Sequence, residues 1–194
     1  AKHFHEHLVR DHRFAWGYTW TKTFLQSKGL LEKAKRRGAH RRKRPRRPLP
    51  GMMLHQDASR HQWLGGRPAL DLVVTMDDAT SAIYSAFLVE EEGTDSTFRA
   101  LEEVFSEHGL PLSLYTDRGS HYFTTPEADG PVDRSCLTQV GRALKHLGVE
   151  HIAAYSPQAR GRSERVFRTL QDRLTKELAL GGITTVEAAD VMRM

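Results

Sequence analysis

Apolar positions recur at two different intervals along the chain, and the change of interval divides it. In residues 4 to 12 and about 19 to 28 they follow helical spacing, with a tight Phe14-Ala15-Trp16-Gly17 connection between the two runs. Thr19 or Thr21 stands where the second helix would be capped, and Gly29 follows its end. Two short helices around a glycine-containing turn fit a helix-turn-helix, and fit any helical hairpin equally well. After Met52 the pattern changes. Residues 53 to 58 predict a strand, and a loop from His61 to Pro68 leads to ALDLVVTM (69 to 76) and SAIYSAFLV (81 to 89). The polar Asp77-Asp78-Ala79-Thr80 between the last two predicts a hairpin.

Residues 94 to 108 predict a helix with Phe98, Leu101, Val104 and Phe105 on one face and Gly109 ending it. LSLYT (112 to 116) predicts a strand, 136 to 147 a helix, 150 to 154 a strand, and about 162 to 178 a long helix. Three consecutive strands followed by helix–strand crossovers make an α/β domain: a mixed five-stranded sheet with helices on its faces.

Charge alters this picture more by its position than by its total of +5. KAKRRGAHRRKRPRR (33 to 47) holds ten Lys or Arg and no acid, which leaves 19 basic against 24 acidic residues elsewhere, a net of −5. Such a run is either a solvated linker or localisation tag, or a ribbon along a phosphate backbone, and its position between two ordered-looking regions favours DNA. The expected division is therefore 1–32, a helix-turn-helix-like DNA-binding segment; 33–51, a basic linker closed by Pro45, Pro48, Pro50 and Gly51; and 52–194, the α/β core. No apolar run reaches the ~18 residues that cross a bilayer, and AKHFHEHLVRDH has no secretory core. Cys136 is the single cysteine, which excludes intramolecular disulfides, favours a reducing compartment, and reads as a small buried apolar residue. His3, His5, His7 and His12 lack the two nearby cysteines that a zinc module of two histidines and two cysteines needs.

Three acids sit where folding alone has little use for one. Asp57 lies in the first core strand, Asp117 closes the strand ending at Thr116, and Glu164 opens the last long helix. Taken singly, Asp117 fits a turn and Glu164 fits the positive end of a helix dipole. Taken together, they meet the need of a divalent ion such as Mg²⁺ for several hard oxygen ligands. On that helix Phe167, Leu170, Leu174 and Leu178 form one stripe with Glu164 at its edge, whereas Asp172 points outward. Asp71, Asp77 and Asp78 compete for the first position, but a strand start and a turn explain them.

HQDASRHQWLGG, YTDRGS and above all YSPQARGRSERVFRTLQDRL resemble the DDE transposases of bacterial insertion sequences, whose core resembles retroviral integrase. YTWTKTFLQSKGLL and the basic run ending in PLPGM carry the resemblance through the earlier part of the chain. It implies a ribonuclease H-like sheet of order 3-2-1-4-5. It also implies Asp57, Asp117 and Glu164 as catalytic ligands of two Mg²⁺ or Mn²⁺ ions, cleavage and strand transfer on DNA (the element ends and the target), and a homo-oligomer working there. From Asp117 to Glu164 is 47 positions, longer than the familiar integrase spacing, and the polar stretch from Thr124 to Asp133 reads as the insertion responsible. The resemblance further implies more chain on both sides, a truncated C-terminus, and a cytoplasmic, nucleoid-associated bacterial protein.

Arg36, Arg37, Arg41, Arg42, Lys43, Arg44, Arg46 and Arg47 in the basic run, with Arg160, Arg162 and Arg165 around the start of the glutamate helix, are the candidate phosphate contacts. Trp63 covers a sheet edge or faces DNA. Two other readings stay open: a ribonuclease H-like or Holliday-junction nuclease, and a catalytically silent DNA-binding remnant.

Overall fold

A computed structural model describes residues 1–32, 45–127, 130–155 and 161–190, and the chain forms two compact units, Ala1–Lys43 and Arg44–Met194. In the first, α1 (Lys2–His12) ends on Arg13 in the left-handed region (φ 52) and α2 (Tyr18–Ser27) follows Gly17. Neither Thr19 nor Thr21 caps α2. Gly17 is its N-cap, and the hydroxyl of the buried Thr21 instead bonds His5 Nδ1 at 2.9 Å, tying the two helices together. Gly29, at φ +69, lets the Leu30 N–H turn back to the Leu25 carbonyl at 3.0 Å.

In the second unit, β1 (Leu54–His61), β2 (Leu70–Asp77), β3 (Ile83–Val89), β4 (Ser113–Thr116) and β5 (Glu150–Ala153) form one sheet of order β3-β2-β1-β4-β5. β1 pairs antiparallel with β2 and parallel with β4, and β4 pairs parallel with β5. All eight residues of β2 are buried, as expected of a strand covered on both faces. On one face α3 (Thr94–His108) and α4 (Gln139–His146) pack Leu101, Val104, Val140 and Leu144 against Leu54 and Leu114. On the other, α5 (Ser163–Leu180) lays Phe167, Leu170 and Leu178 on Leu72 and Val74, with Leu174 alongside. Each such side chain contributes about 1.5–3 kcal/mol when fully buried. No described helix is long and apolar enough to cross a membrane.

Several elements differ from expectation for physical reasons. β1 continues to His61 because Ser59, Arg60 and His61 keep pairing with Leu72, Asp71 and Leu70. α4 begins three residues late, because Asp133 Oδ1 accepts the Ser135 and Cys136 N–H groups and holds a turn there, after which Thr138 caps the helix. Cys136 is consequently exposed rather than buried. Trp63 is neither an edge cover nor a DNA-facing residue: it is 1% exposed within the α5-side core and donates Nε1–H to the Ser59 carbonyl at 3.1 Å. A short helix, α6 (Val186–Asp190), follows α5. Asp190 accepts the Leu88 N–H of the edge strand β3 and pairs with Arg99, which occupies a backbone donor that an edge would otherwise present.

His151, on β5, is stacked on Phe123 and bonded through Nε2 to Thr116 Oγ1 at 3.0 Å. Burial pushes its pKa down from 6.5 to about 4. The unfolded chain therefore takes up this proton first, so the stability linked to His151 is complete above about pH 6.5 and is lost as pH falls toward 4. The shift corresponds to about 3 kcal/mol at full protonation. Thermal melts between pH 7 and pH 4 should fall less steeply for His151→Gln than for the parent, and parallel curves would remove His151 as the cause.

Candidate active site

The register of the sheet brings two of the three acids together. Leu54 faces Leu114 and His55 faces Tyr115 across the parallel β1–β4 pair. Continuing that register by two residues sets Asp57 beside Asp117, on strands about 4.8 Å apart. Leu54 and Leu114 point into the α3–α4 core, so the alternation of side chains turns Asp57 and Asp117 to the α5 face. There α5 presents Glu164 in its first turn. Asp57, Asp117 and Glu164 line one cleft of about 630 Å³, with Ser59, Tyr155 and Phe167 among its walls.

Local bonds aim the carboxylates. Asp57 Oδ1 accepts the Ala58 N–H at 3.0 Å, and Asp117 Oδ1 accepts the Gly119 N–H at 2.8 Å. Glu164 is exposed, next to the buried Ser163. Among the described residues the three acids do not form a group whose oxygens all lie within 4.8 Å of one another, as expected of anions that repel. No described residue lining the cleft is a histidine or cysteine. A donor set of carboxylates alone suits Mg²⁺ or Mn²⁺ rather than zinc.

Gly119 leaves little room for a side chain. A Cβ there would meet Asp117 Oδ1 and His121 Cε1, each at 3.0 Å. Gly119→Ala should therefore turn the Asp117 carboxylate and lower any activity that depends on it by about tenfold to a hundredfold, the cost of disturbing a ligand's supporting contacts. The melting temperature should change little, since the residue lies outside both main cores. Metal-dependent turnover equal to the parent's would show that the carboxylate tolerates the displacement.

The predicted basic residues divide. Arg36, Arg37, Arg41, Arg42, Lys43, Arg44 and Arg160 lie outside the described residues. Arg46, Arg162 and Arg165 line a second cleft of about 360 Å³ along another flank of α5. Arg46 donates to the Ala79 carbonyl at 2.5 Å, and the backbone N–H of Arg47 donates to Asp78 Oδ2 at 2.7 Å. Arg162 has only 12% of its side chain exposed and its guanidinium is paired with Asp78, a burial unlike that of an open phosphate contact.

Sequence reasoning missed the second role of the Asp77-Asp78 pair. Asp77 does serve the turn, accepting from Thr80 N–H and Oγ1, but it also takes the Gly51 N–H. Asp78 is fully buried and receives His55 Nε2 at 2.7 Å as well as Arg162. One acid suffices for such a turn, so the second was the available signal. Thr124 and Asp133, the ends of the stretch read as an insertion, form an antiparallel bridge that returns the chain to its starting point.

No protein-family model matches the chain. Over 161 residues it is 38% identical to a protein of Sinorhizobium fredii designated transposase y4bF, a stretch covering 82% of this chain and 35% of that protein. Over 147 residues it is 33% identical to the transposase for insertion sequence IS1202 of Streptococcus pneumoniae, covering 76% and 31%. The chain thus spans about a third of the length of these relatives. Its fold matches a chain of the simian T-cell lymphotropic virus intasome (TM-score 0.62, 18% identity, 84% of this chain and 54% of that one). It also matches the HTLV-2 integrase catalytic core solved with magnesium (TM-score 0.55, 17% identity, 74% and 82%).

Proposed function

We propose that this chain, a relative of bacterial insertion-sequence transposases with the fold of a retroviral integrase core, cuts and joins DNA at a divalent-metal site formed by Asp57, Asp117 and Glu164. The observation that carries the reading is the opening of three acids, from β1, the residue just after β4, and the first turn of α5, onto one cleft. Two Mg²⁺ or Mn²⁺ ions, when bound, would supply activation of an attacking oxygen and stabilisation of the leaving one. The chain's own part is to provide ligand charge on rigid elements: Asp57 on β1, Asp117 directly after the paired strand β4 and oriented by the Gly119 N–H, and Glu164 on a helix packed across them. Arg165 and the basic run that contains Arg46 offer cations to the DNA backbone without reading its sequence. The substrates are the element's ends and a target duplex, and fold neighbours solved as an intasome and as a dimer support assembly of several copies on DNA.

The test is incubation of the chain in Mg²⁺ with labelled duplexes carrying the repeats that flank its gene. Nicked products ending in 3′-hydroxyls, followed by strands joined to a second duplex, are expected. Cutting without joining would leave a nuclease of the same fold. Tight DNA binding with neither would leave a silent remnant.

A further inference from the structure

α5 is fastened to β1 at two points on either side of the acids. Near its start, the Arg162 guanidinium pairs with Asp78, whose carboxylate also meets His55 Nε2 on β1 and the Arg47 backbone N–H. Further along, Gln171 Nε2 donates to Ser59 Oγ at 3.0 Å. From 162 to 171 a helix rises about 13.5 Å, and from 55 to 59 a strand rises about 13 Å. The two spans match, so helix and strand run side by side between the two fastenings, and Glu164 and Asp57 lie inside them. Each acid is two residues beyond its partner in the Asp78 cluster: His55 precedes Asp57, and Arg162 precedes Glu164.

The cluster is a costly way to obtain stability. Asp78 has none of its side chain exposed, His55 3% and Arg162 12%, and an apolar pair of that size would often hold a fold as well or better. What a buried ion pair adds is direction: a fixed partner at a fixed angle. Resting on the metal-site reading above, we infer that Asp78 and Arg162 are a positioning pair that sets the first turns of α5, and so Glu164, against Asp57. Arg162 is then a strut and not a DNA contact.

Arg162→Gln removes one charge and leaves Asp78 buried with His55, which can unfold a protein outright. The double variant Asp78→Asn, Arg162→Gln removes both charges and keeps an amide able to bond His55, so it guards against that outcome. Three readouts are compared with the parent: amide hydrogen exchange, Mn²⁺ binding followed by the resonance of the free ion, and affinity for a labelled duplex. Exchange in Val166 to Leu170 should accelerate about tenfold while α3 keeps its parent rates. Half-saturation with Mn²⁺ should need about tenfold more ion, with duplex affinity within about twofold of the parent because no phosphate contact is lost. Arg165→Gln should give the opposite pattern, weaker duplex binding with unchanged exchange.

Unchanged exchange in α5 overturns the inference, whether or not duplex affinity falls. So does acceleration of α3 and α5 alike in both variants, which would make the pair an ordinary stabiliser. If the parent itself neither binds Mn²⁺ nor cuts DNA, the metal-site reading fails, while the exchange pattern still decides whether Asp78 and Arg162 position the helix.

Discussion

Asp57→Asn, Asp117→Asn and Glu164→Gln are each expected to reduce DNA cutting and joining by roughly a thousandfold or more, equivalent to about 4 kcal/mol of barrier. An amide is neutral and a poor ligand for Mg²⁺, so no replacement keeps the charge that a hard cation requires. The structure predicts small effects on folding. Asp57 is 9% exposed and the amide occupies the same space, with an oxygen still able to accept the Ala58 N–H. Asn at 117 can likewise accept from Gly119. Glu164 is exposed, and its loss of charge near the start of α5 costs about 0.3–1 kcal/mol of dipole interaction. DNA affinity should hold or tighten, because a negative charge facing phosphate is removed. Asp172→Asn is the control: it lies on the exposed face of α5, where its pairing with Lys176 is worth only about 0.3–0.5 kcal/mol. Asp77 looks like an equivalent control from sequence but is not one, since it is buried and accepts from Gly51 and Thr80. Cleavage by Glu164→Gln at the parent's rate in Mg²⁺ would refute the three-acid mechanism.

The parts of this arrangement that were legible in the sequence are those with a period. The stripe Phe167, Leu170, Leu174 and Leu178 identifies the inward face of α5 by its spacing alone, and those residues pack into one core. The apolar runs of β2 and β3 and the polar turn between them predicted a hairpin, and its strands pair as expected. Asp57 and Asp117 stood out because each interrupts or ends an apolar strand. The order of the sheet came from the resemblance, since periodicity does not say which strand lies beside which.

What was not legible depends on contacts between distant residues, which leave no periodic trace. Asp78 meets Arg162 across 84 positions, and both have an ordinary local explanation, a turn and a surface cation. Asp190 serves an edge strand 102 positions earlier, a contact that its neighbours in sequence do not announce. The Thr19 and Thr21 caps failed for a local reason: the extended Gly17 starts the helix earlier and leaves Thr21 inside it, facing His5. Tertiary pairing thus decided the points at which local rules offered two answers.

The basic run should make DNA binding steeply dependent on salt. If about five of its ten cations meet phosphates, the logarithm of affinity falls with the logarithm of salt at a slope near −4.5, so raising salt from about 50 to about 200 mM weakens binding roughly 500-fold. Replacing Arg41, Arg42, Arg44, Arg46 and Arg47 by Gln should flatten that slope, measured by fluorescence anisotropy on a labelled duplex. The contrast should be large because the rest of the chain carries a net charge of −5 and repels a polyanion on balance. Arg46 gives the sharper single-site test. Its side chain lies in the same cleft as Arg165, at a fixed place against the Ala79 carbonyl, so Arg46→Gln alone should remove about one phosphate contact and reduce the slope by about 0.9. An unchanged slope in the five-fold variant would mean that the run does not lie on DNA. The exposed cations of α5 would then have to carry the backbone contacts by themselves, against the negative charge of the core that surrounds them.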